Sequence, residues 1–392
     1  MDDAKPVVQL PPRKRKRMID ARRIKRTLTQ GLVRIIPYLS RVTGHFSRFM
    51  SCTEMAQFHR EETTYRFRTP DLGAESARFA LRAGDPIPYE RNAIFRTDVL
   101  RDVECFAGNG SIAPFGQNVS IRLQGKEDYL DNLNAPGLYW DDGTIDENAL
   151  YAFGLRRGHK HYWHFLADYY QPLFLFLERA DKNKPLVMLT RDDLAEFQVI
   201  LFDLMVRRFP FVTHRRVPAH FRLRLKQVLI PYRLTDYQEA NVETSLIDFL
   251  STQFASGDRS RRLLFVSRNE ARLRRLQNES DVFALIEPLG FETICPGRMS
   301  FREQVDAFAD AAVVIAVHGA ALTNLVYAPR CEAVIELFPS DFLKTTYLRL
   351  AERIGAEYRP CIGGAGDRHQ SFLIEPANVL EAAREAVASL SR

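Results

Sequence analysis

Beyond about residue 236, apolar positions fall into short blocks separated by amphipathic stretches. Segments at 263–267, 291–295, 312–317, 333–338 and 357–361, five or six residues long, read as strands, the first a short apolar run as in a buried strand. The block at 312–317 is apolar without a break, as in a strand covered on both faces of a parallel sheet. Between the blocks, residues 279–289 predict a helix closed by Gly290. Ser300 and Glu303 have the spacing of a capping box at the start of a helix reaching 311. Further helices are predicted to about 327 and over 342–354, and another from Pro376, where proline suits the first turn. Strand–helix alternation at this pitch predicts an α/β fold with a doubly wound parallel sheet.

Upstream the pattern is less regular. Residues 71–158 are rich in Gly and Pro, with short alternating pieces such as 118–123. An apolar-aromatic helix is predicted over 159–180 with a kink at Pro172, a strand at 185–189, a helix at 192–208 and a short strand at 227–231.

Composition narrows the class. The 392 residues are 46% hydrophobic and 27% charged, which excludes a disordered or collagen-like chain and is long enough for about two domains. No stretch reaches the ~20 apolar residues of a membrane span; the nearest, 311–328, is interrupted by His318, Gly319 and Asn324. No apolar core of ~7–15 residues follows the N-terminal basic residues, so a signal peptide is not expected. Five cysteines, odd in number and without a CxxC, fit a reduced cytoplasmic protein lacking a zinc ribbon.

Charge is unevenly distributed. Residues 1–50 hold thirteen Lys/Arg against three Asp, whereas the whole chain is only +6, so the remainder is net acidic. This leader fits a solvated tail, a cationic amphipathic helix on an anionic membrane surface, or a nucleic-acid arm. The acidic body opposes the last, and nucleic acid is not an expected partner.

Ligands of open α/β sheets sit beyond the carboxyl ends of the strands. There the sequence places Ser267-Arg268, Pro296-Gly297-Arg298 and His318-Gly319-Ala320-Ala321-Leu322-Thr323-Asn324. A glycine and small residues ahead of a helix let backbone N–H groups meet an anion such as a diphosphate, and Thr323 and Asn324 could add hydrogen bonds. The same segment also suits a tight structural turn. Arg268, at a strand end, could grip phosphate oxygens bidentately, whereas Arg272 and Arg274 read as a solvated face. Neither GxGxxG nor GxxxxGK[ST] occurs. In His159-Lys-His161-Tyr-Trp-His164-Phe-Leu-Ala-Asp168, helical spacing puts His161, His164 and Asp168 on one face. A metal site, an acid/base pair acting on a hydroxyl, and a structural cluster all remain open for it.

Several ordered motifs together resemble glycosyltransferase family sixty-one, the capsular polysaccharide biosynthesis type. They are Ser267-Arg268, Arg275-x-x-Asn278-Glu279, Leu289-Gly290-Phe291, Phe301-x-x-Gln304, His318-Gly319-Ala320-x-Leu322-x-Asn324 and 334–339, with His164…Asp168…Pro172-Leu173 upstream. The resemblance covers about 155–375 and implies a GT-B-like fold, two Rossmann-like domains facing a cleft. A basic leader (1–50) would precede an acceptor-side domain (51–235) and a nucleotide-sugar-binding domain (236–392), whose last helix packs back on the N-terminal domain. It further implies an inverting glycosyltransferase that needs no metal or other cofactor, and the sequence contains no Asp-x-Asp.

By that resemblance Asp168 or His164 is the general base. Arg268, His318, Gly319, Ala320 and Ala321 hold the diphosphate, with Arg275, Asn278, Thr323 and Asn324 beside them and Glu336 at the ribose. The partners implied are a nucleotide-sugar donor, UDP-linked, and a glycan or lipid-linked acceptor on the cytoplasmic side of a membrane. The rivals are a pyruvyl-type transferase on the same fold, a metal-dependent hydrolase using the 159–168 cluster, and a non-catalytic adaptor.

Overall fold

In the computed structural model, the described residues are 48–51, 59–68, 74–84, 90–107, 111–114, 119–122, 140–151, 160–233, 242–254 and 261–390. Most of the basic leader, His159 and the expected domain boundary near 235 lie outside them. Strands β1 (Arg48–Ser51), β2 (His59–Arg68), β3 (Glu90–Phe106), β4 (Ser111–Pro114), β5 (Val119–Arg122), β6 (Trp140–Tyr151), β7 (Leu186–Arg191), β8 (Val212–Val217) and β9 (Phe221–Arg233) make up the first part. The second part has β10 (Arg262–Val266), β11 (Phe291–Ile294), β12 (Ala311–Val317), β13 (Ala333–Phe338) and β14 (Glu357–Ile362).

The C-terminal sheet has the order β11-β10-β12-β13-β14, with every pairing parallel. The chain steps from β10 outward to β11, then crosses back to lay β12 on the other side of β10. That reversal makes the gap between the carboxyl ends of β10 and β12 the topological switch point, where a crevice opens. β12 and β13 are buried at every position, and the sequence of β12 is apolar throughout while that of β13 is broken only by Glu336, as this central location favours.

The N-terminal sheet departs from the expected second Rossmann-like unit. Its order is β2-β3-β9-β6-β7-β8, with β4 also on β3. β6, β7 and β8 run parallel, and β9 is parallel to β6, but β2, β3, β4 and β9 meet antiparallel. The cause is written in β9. Leu223, Leu225, Val228, Ile230 and Tyr232 are buried while Lys226 is exposed, the near-alternation of a strand with unlike faces. The short strand expected at 227–231 is the middle of this longer one.

Two other expectations change. Residues 162–179 form one continuous helical rod, but it widens to a π-helix over Phe165–Tyr170 before resuming at Gln171–Arg179. Pro172 has no N–H to offer the carbonyl of residue 168, and the Gln171 N–H already reaches back five residues to Leu166. Among the described residues the final helix, Pro376–Ser389, packs on its own sheet and not on the N-terminal part. Val379, Ala383 and Ala386 face its own sheet together with Val282 and Ile286 of the helix Glu279–Ile286. Small residues at helical spacing allow that close approach.

The capping box is formed as expected, with Ser300 and Glu303 each bonding the other's backbone N–H. One apolar cluster runs from helix 162–179 through Leu246 and Leu250 to β12 and the 3₁₀ turn Ala320–Tyr327, joining the two sheets. No helix of the described residues is long and apolar enough to cross a membrane.

Candidate active site

A cavity of about 500 Å³ opens at the switch point. Arg268, Gly297, Ala320 and Ala321 line its sheet side, and Tyr162, Phe197 and Phe301 its opposite wall. Glu279, buried at the start of its helix, fixes the loop after β10. Its carboxylate accepts from Ser267 Oγ (2.5 Å), Asn269 Nδ2 (2.7 Å) and the Arg268 N–H (3.3 Å). Arg268 donates from Nε to the Leu273 carbonyl at 3.0 Å, which turns the rest of its guanidinium onto Gly319. A Cβ at residue 319 would stand 1.9 Å from Arg268 Nη1. The φ of Gly319 is 173°, ordinary extended backbone, so glycine is required here for room.

Arg274 is the residue that sequence reasoning assigned to solvent. With φ 55° it turns inward, donating from Nε to the His318 carbonyl (3.1 Å) and from Nη1 to Gln370 Oε1 (3.2 Å). Its guanidinium lies 4.9 Å from the centre of the Phe342 ring. No local pattern in the sequence marks it, because its partners come from distant segments. Two guanidinium groups thus flank one turn. Burial, and then the Arg274 charge, push the Arg268 pKa down to about 10. It stays protonated at neutral pH, but in a place where a second positive charge is unfavourable and an anion would relieve it. The first N–H groups of the turn beginning at Ala320 have no carbonyl one turn earlier to bond.

His318 is 8% exposed and stacks on Phe338, with ring centres 5.3 Å apart. Its Nδ1 meets Glu336 Oε1 at 2.6 Å. Glu336 itself is 0% exposed, and its other oxygen accepts from Tyr358 Oη at 2.6 Å. The ribose contact expected for Glu336 is therefore corrected: both oxygens are spent beneath the cleft surface.

Three further residues expected to touch the donor support the loops instead. Asn278 is tied through both amide atoms to the backbone of Ile374, at 2.8 and 3.2 Å. Thr323 and Asn324 are 0% exposed. Asn324 Nδ2 donates to Gln304 Oε1 (3.2 Å), and Gln304 Nε2 bonds the carbonyls of Pro296 and Met299, so the pair fixes the Pro296–Met299 rim. Arg275 is exposed, does not line the cavity, and is held through its backbone by Ser371 and Phe372.

The helical rod that gives Tyr162 to the opposite wall also carries the histidine cluster. His164 Nδ1 and Asp168 Oδ2 are 2.8 Å apart, one turn apart on the helical rod, and His161 and His164 have ring centres 4.8 Å apart. Both members of the dyad are mostly buried. The two walls adjoin. Desolvation first, then His164 and the charges of Arg274 and Arg268, lower the His161 pKa to about 4, while Asp168 acts in the other direction. Trp163 packs edge-on against Tyr347, which in turn lies 5.3 Å from the His318 ring. Among the described residues no three His, Cys, Asp or Glu side chains are grouped to hold a metal ion.

Two guanidinium groups thus flank the Gly319 turn, and their charges reach His161 beside the His164–Asp168 pair. The family model described as Glycosyltransferase 61 matches residues 162–335, from the first residue of the helical rod to the middle of β13, and so includes both walls. No curated protein matches the chain. Two crystal structures of one protein share weak similarity with it. One is the bacterial iron-containing dodecameric glycosyltransferase TibC from enterotoxigenic E. coli H10407, at 13% identity over 62% of this chain and 75% of that one, with a TM-score of 0.28. The other is the dodecameric iron-containing heptosyltransferase TibC in complex with ADP-D-beta-D-heptose, at 12% identity over the same shares, with a TM-score of 0.27. Residues 162–335, which carry the Arg268–Gly319 turn and the His164–Asp168 pair, are thus similar to the Glycosyltransferase 61 family, and this match supports a glycosyltransferase.

Proposed function

We propose that the protein is an inverting glycosyltransferase that moves a sugar from a nucleotide-diphospho-sugar, UDP-linked, to a hydroxyl of a glycan or lipid-linked acceptor in surface polysaccharide synthesis. The observation that carries this reading is the pair of partly desolvated guanidinium groups at the Gly319 turn, one lying against its backbone and the other on the His318 carbonyl. Together with the N–H groups of the turn they offer a diphosphate fixed positive charge. That charge stabilises the leaving nucleoside diphosphate as the glycosidic bond breaks, a task performed elsewhere by a divalent ion. Metal-independent transfer is part of the proposal.

The acceptor hydroxyl attacks the anomeric carbon on the face opposite the diphosphate, and its proton passes to the His164–Asp168 pair. An imidazole bonded to a carboxylate at 2.8 Å is held in one orientation and stabilised once it becomes charged, so the pair takes the proton as a unit. The basic leader would bring the protein to the anionic cytoplasmic face of a membrane, since each Lys/Arg near such a surface contributes about 1 kcal/mol.

Calorimetric titration of the full chain with UDP, ADP and GDP tests the donor site. Binding of UDP that weakens in Arg268→Ala is the expected result. Equal affinity of wild type and variant would overturn the assignment of the turn to the diphosphate.

A further inference from the structure

His318 faces the same turn, and the groups behind it are buried deeper than a ligand could reach. Nδ1 is committed to Glu336, so Nε2 is the nitrogen left for another partner, and no hydrogen bond to it exists among the described residues. Glu336 has no exposed surface, and among the described residues it bonds His318 and the Tyr358 hydroxyl, at 2.6 Å each. A carboxylate placed there at full desolvation cost is tolerated when it is balanced by a cation and a strong donor. Among the described residues, His318 is the one cationisable group bonded to it.

We propose that Glu336 and Tyr358 are positioning residues that hold the proton of His318 on Nδ1 and favour its imidazolium form, so that Nε2–H is presented as a charged donor to the diphosphate. The proton stays on the ring throughout; no bond to it is made or broken, and its charge meets the negative charge that accumulates on the leaving phosphoryl oxygen. This rests on the donor-site reading above and adds a third positive group to it, one whose charge depends on pH.

The surroundings pull His318 both ways. Glu336 from β13 favours the cation. Arg268 and Arg274, from the loop after β10, oppose it, the first against Gly319 and the second on the His318 carbonyl. Tyr347 from the helix Thr346–Ile354 and Phe342 pack against the ring, with the Lys344 ammonium on the Phe342 ring. Tyr358, from β14, donates to the carboxylate and so moderates its pull on the imidazole. Glu336 and Tyr358 both lie beyond the segment matched by the family model, which ends at residue 335.

The test pairs two readouts on the full chain: the titration midpoint of His318, followed by NMR with labelled histidine and assigned with His318→Asn, and the affinity for UDP across pH. Affinity should fall as pH rises through that midpoint. In Glu336→Gln the anion is lost while the shape is kept, and the midpoint and the affinity limb should both move down by about 1 unit or more. In Tyr358→Phe the carboxylate keeps its charge and loses a competing donor, so both should move up. Opposite displacements are not produced by a merely structural role, and Tyr358→Phe keeps the test open should Glu336→Gln fail to fold. Unmoved midpoints, or shifts of the same sign in the two variants, overturn the relay, while loss of UDP affinity in Arg268→Ala would leave the donor site standing. Failure of UDP, ADP and GDP to bind wild type overturns the donor site itself, whatever the midpoints do.

Discussion

The two walls of the cleft hold their polar groups in different ways. On the sheet side, Arg268, Arg274 and His318 each bond a group that the fold holds in place. Arg268 is tied to a backbone carbonyl and its loop to Glu279, Arg274 to a second carbonyl, and His318 to a carboxylate inside the core. On the helix side, His164 and Asp168 bond each other at 2.8 Å where the rod widens to a π-helix. The first arrangement suits a charge that must already be in place when the substrate arrives, because preorganised dipoles and cations cost nothing at the moment of reaction. The second suits groups that must change protonation state. π-turns recur at functional positions because the extra residue re-aims side chains without breaking the rod.

The division of labour can be broken from either side. Asp168→Asn should cost most, lowering turnover by about 10²- to 10⁴-fold while leaving UDP affinity nearly intact. Steady-state rates and calorimetry on one preparation check this, and a matching loss of UDP affinity would mean that the helix wall also builds the donor site. Arg268→Ala comes next. Loss of one charge-assisted contact of about 1.5–3 kcal/mol corresponds to roughly 10- to 150-fold weaker UDP binding, measured by calorimetry at constant ionic strength.

Gly319→Ala sharpens the comparison. The new methyl group would meet the far end of Arg268, which can swing aside, so thermal stability should be unchanged while UDP affinity falls by less than in Arg268→Ala. A large drop in melting temperature would show instead that the turn itself cannot accept a side chain. The smallest effect is expected away from both walls. Ser300→Ala removes the cap of the helix Phe301–Ala309 and should cost about 0.5–2 kcal/mol in urea unfolding, without altering UDP affinity.

Much of the C-terminal sheet was legible because each of its signals is local. A strand buried on both faces is apolar nearly throughout, as β12 is at every position and β13 at all but Glu336, and Gly290, at φ 96°, marks the helix end that its residue type predicts. The site was legible to the extent that strand ends in such a sheet converge: Arg268, Gly319, Ala320 and Ala321 were named from their positions, and they line or border the cleft. Arg274 and Arg272 look alike in sequence, and only a backbone turn with positive φ and partners at 318 and 370 separates Arg274. Glu336 was visible as a charge in an apolar strand, but whether such a charge faces a ligand or a buried partner depends on what the neighbouring strands supply. β14 supplies Tyr358.

Sequence alone located the strands of the C-terminal sheet, marked helix ends such as Gly290 and the Ser300 cap, and showed which family the chain resembles, since caps, runs and motifs act over a few residues. Tertiary structure decided what those segments meet. It made the N-terminal sheet mixed, returned the last helix to its own sheet, buried Glu336 under His318 and brought a second guanidinium to the Gly319 turn. Each of these depends on groups separated by tens of residues along the chain, whose approach is fixed by packing and by the need to pair every buried charge.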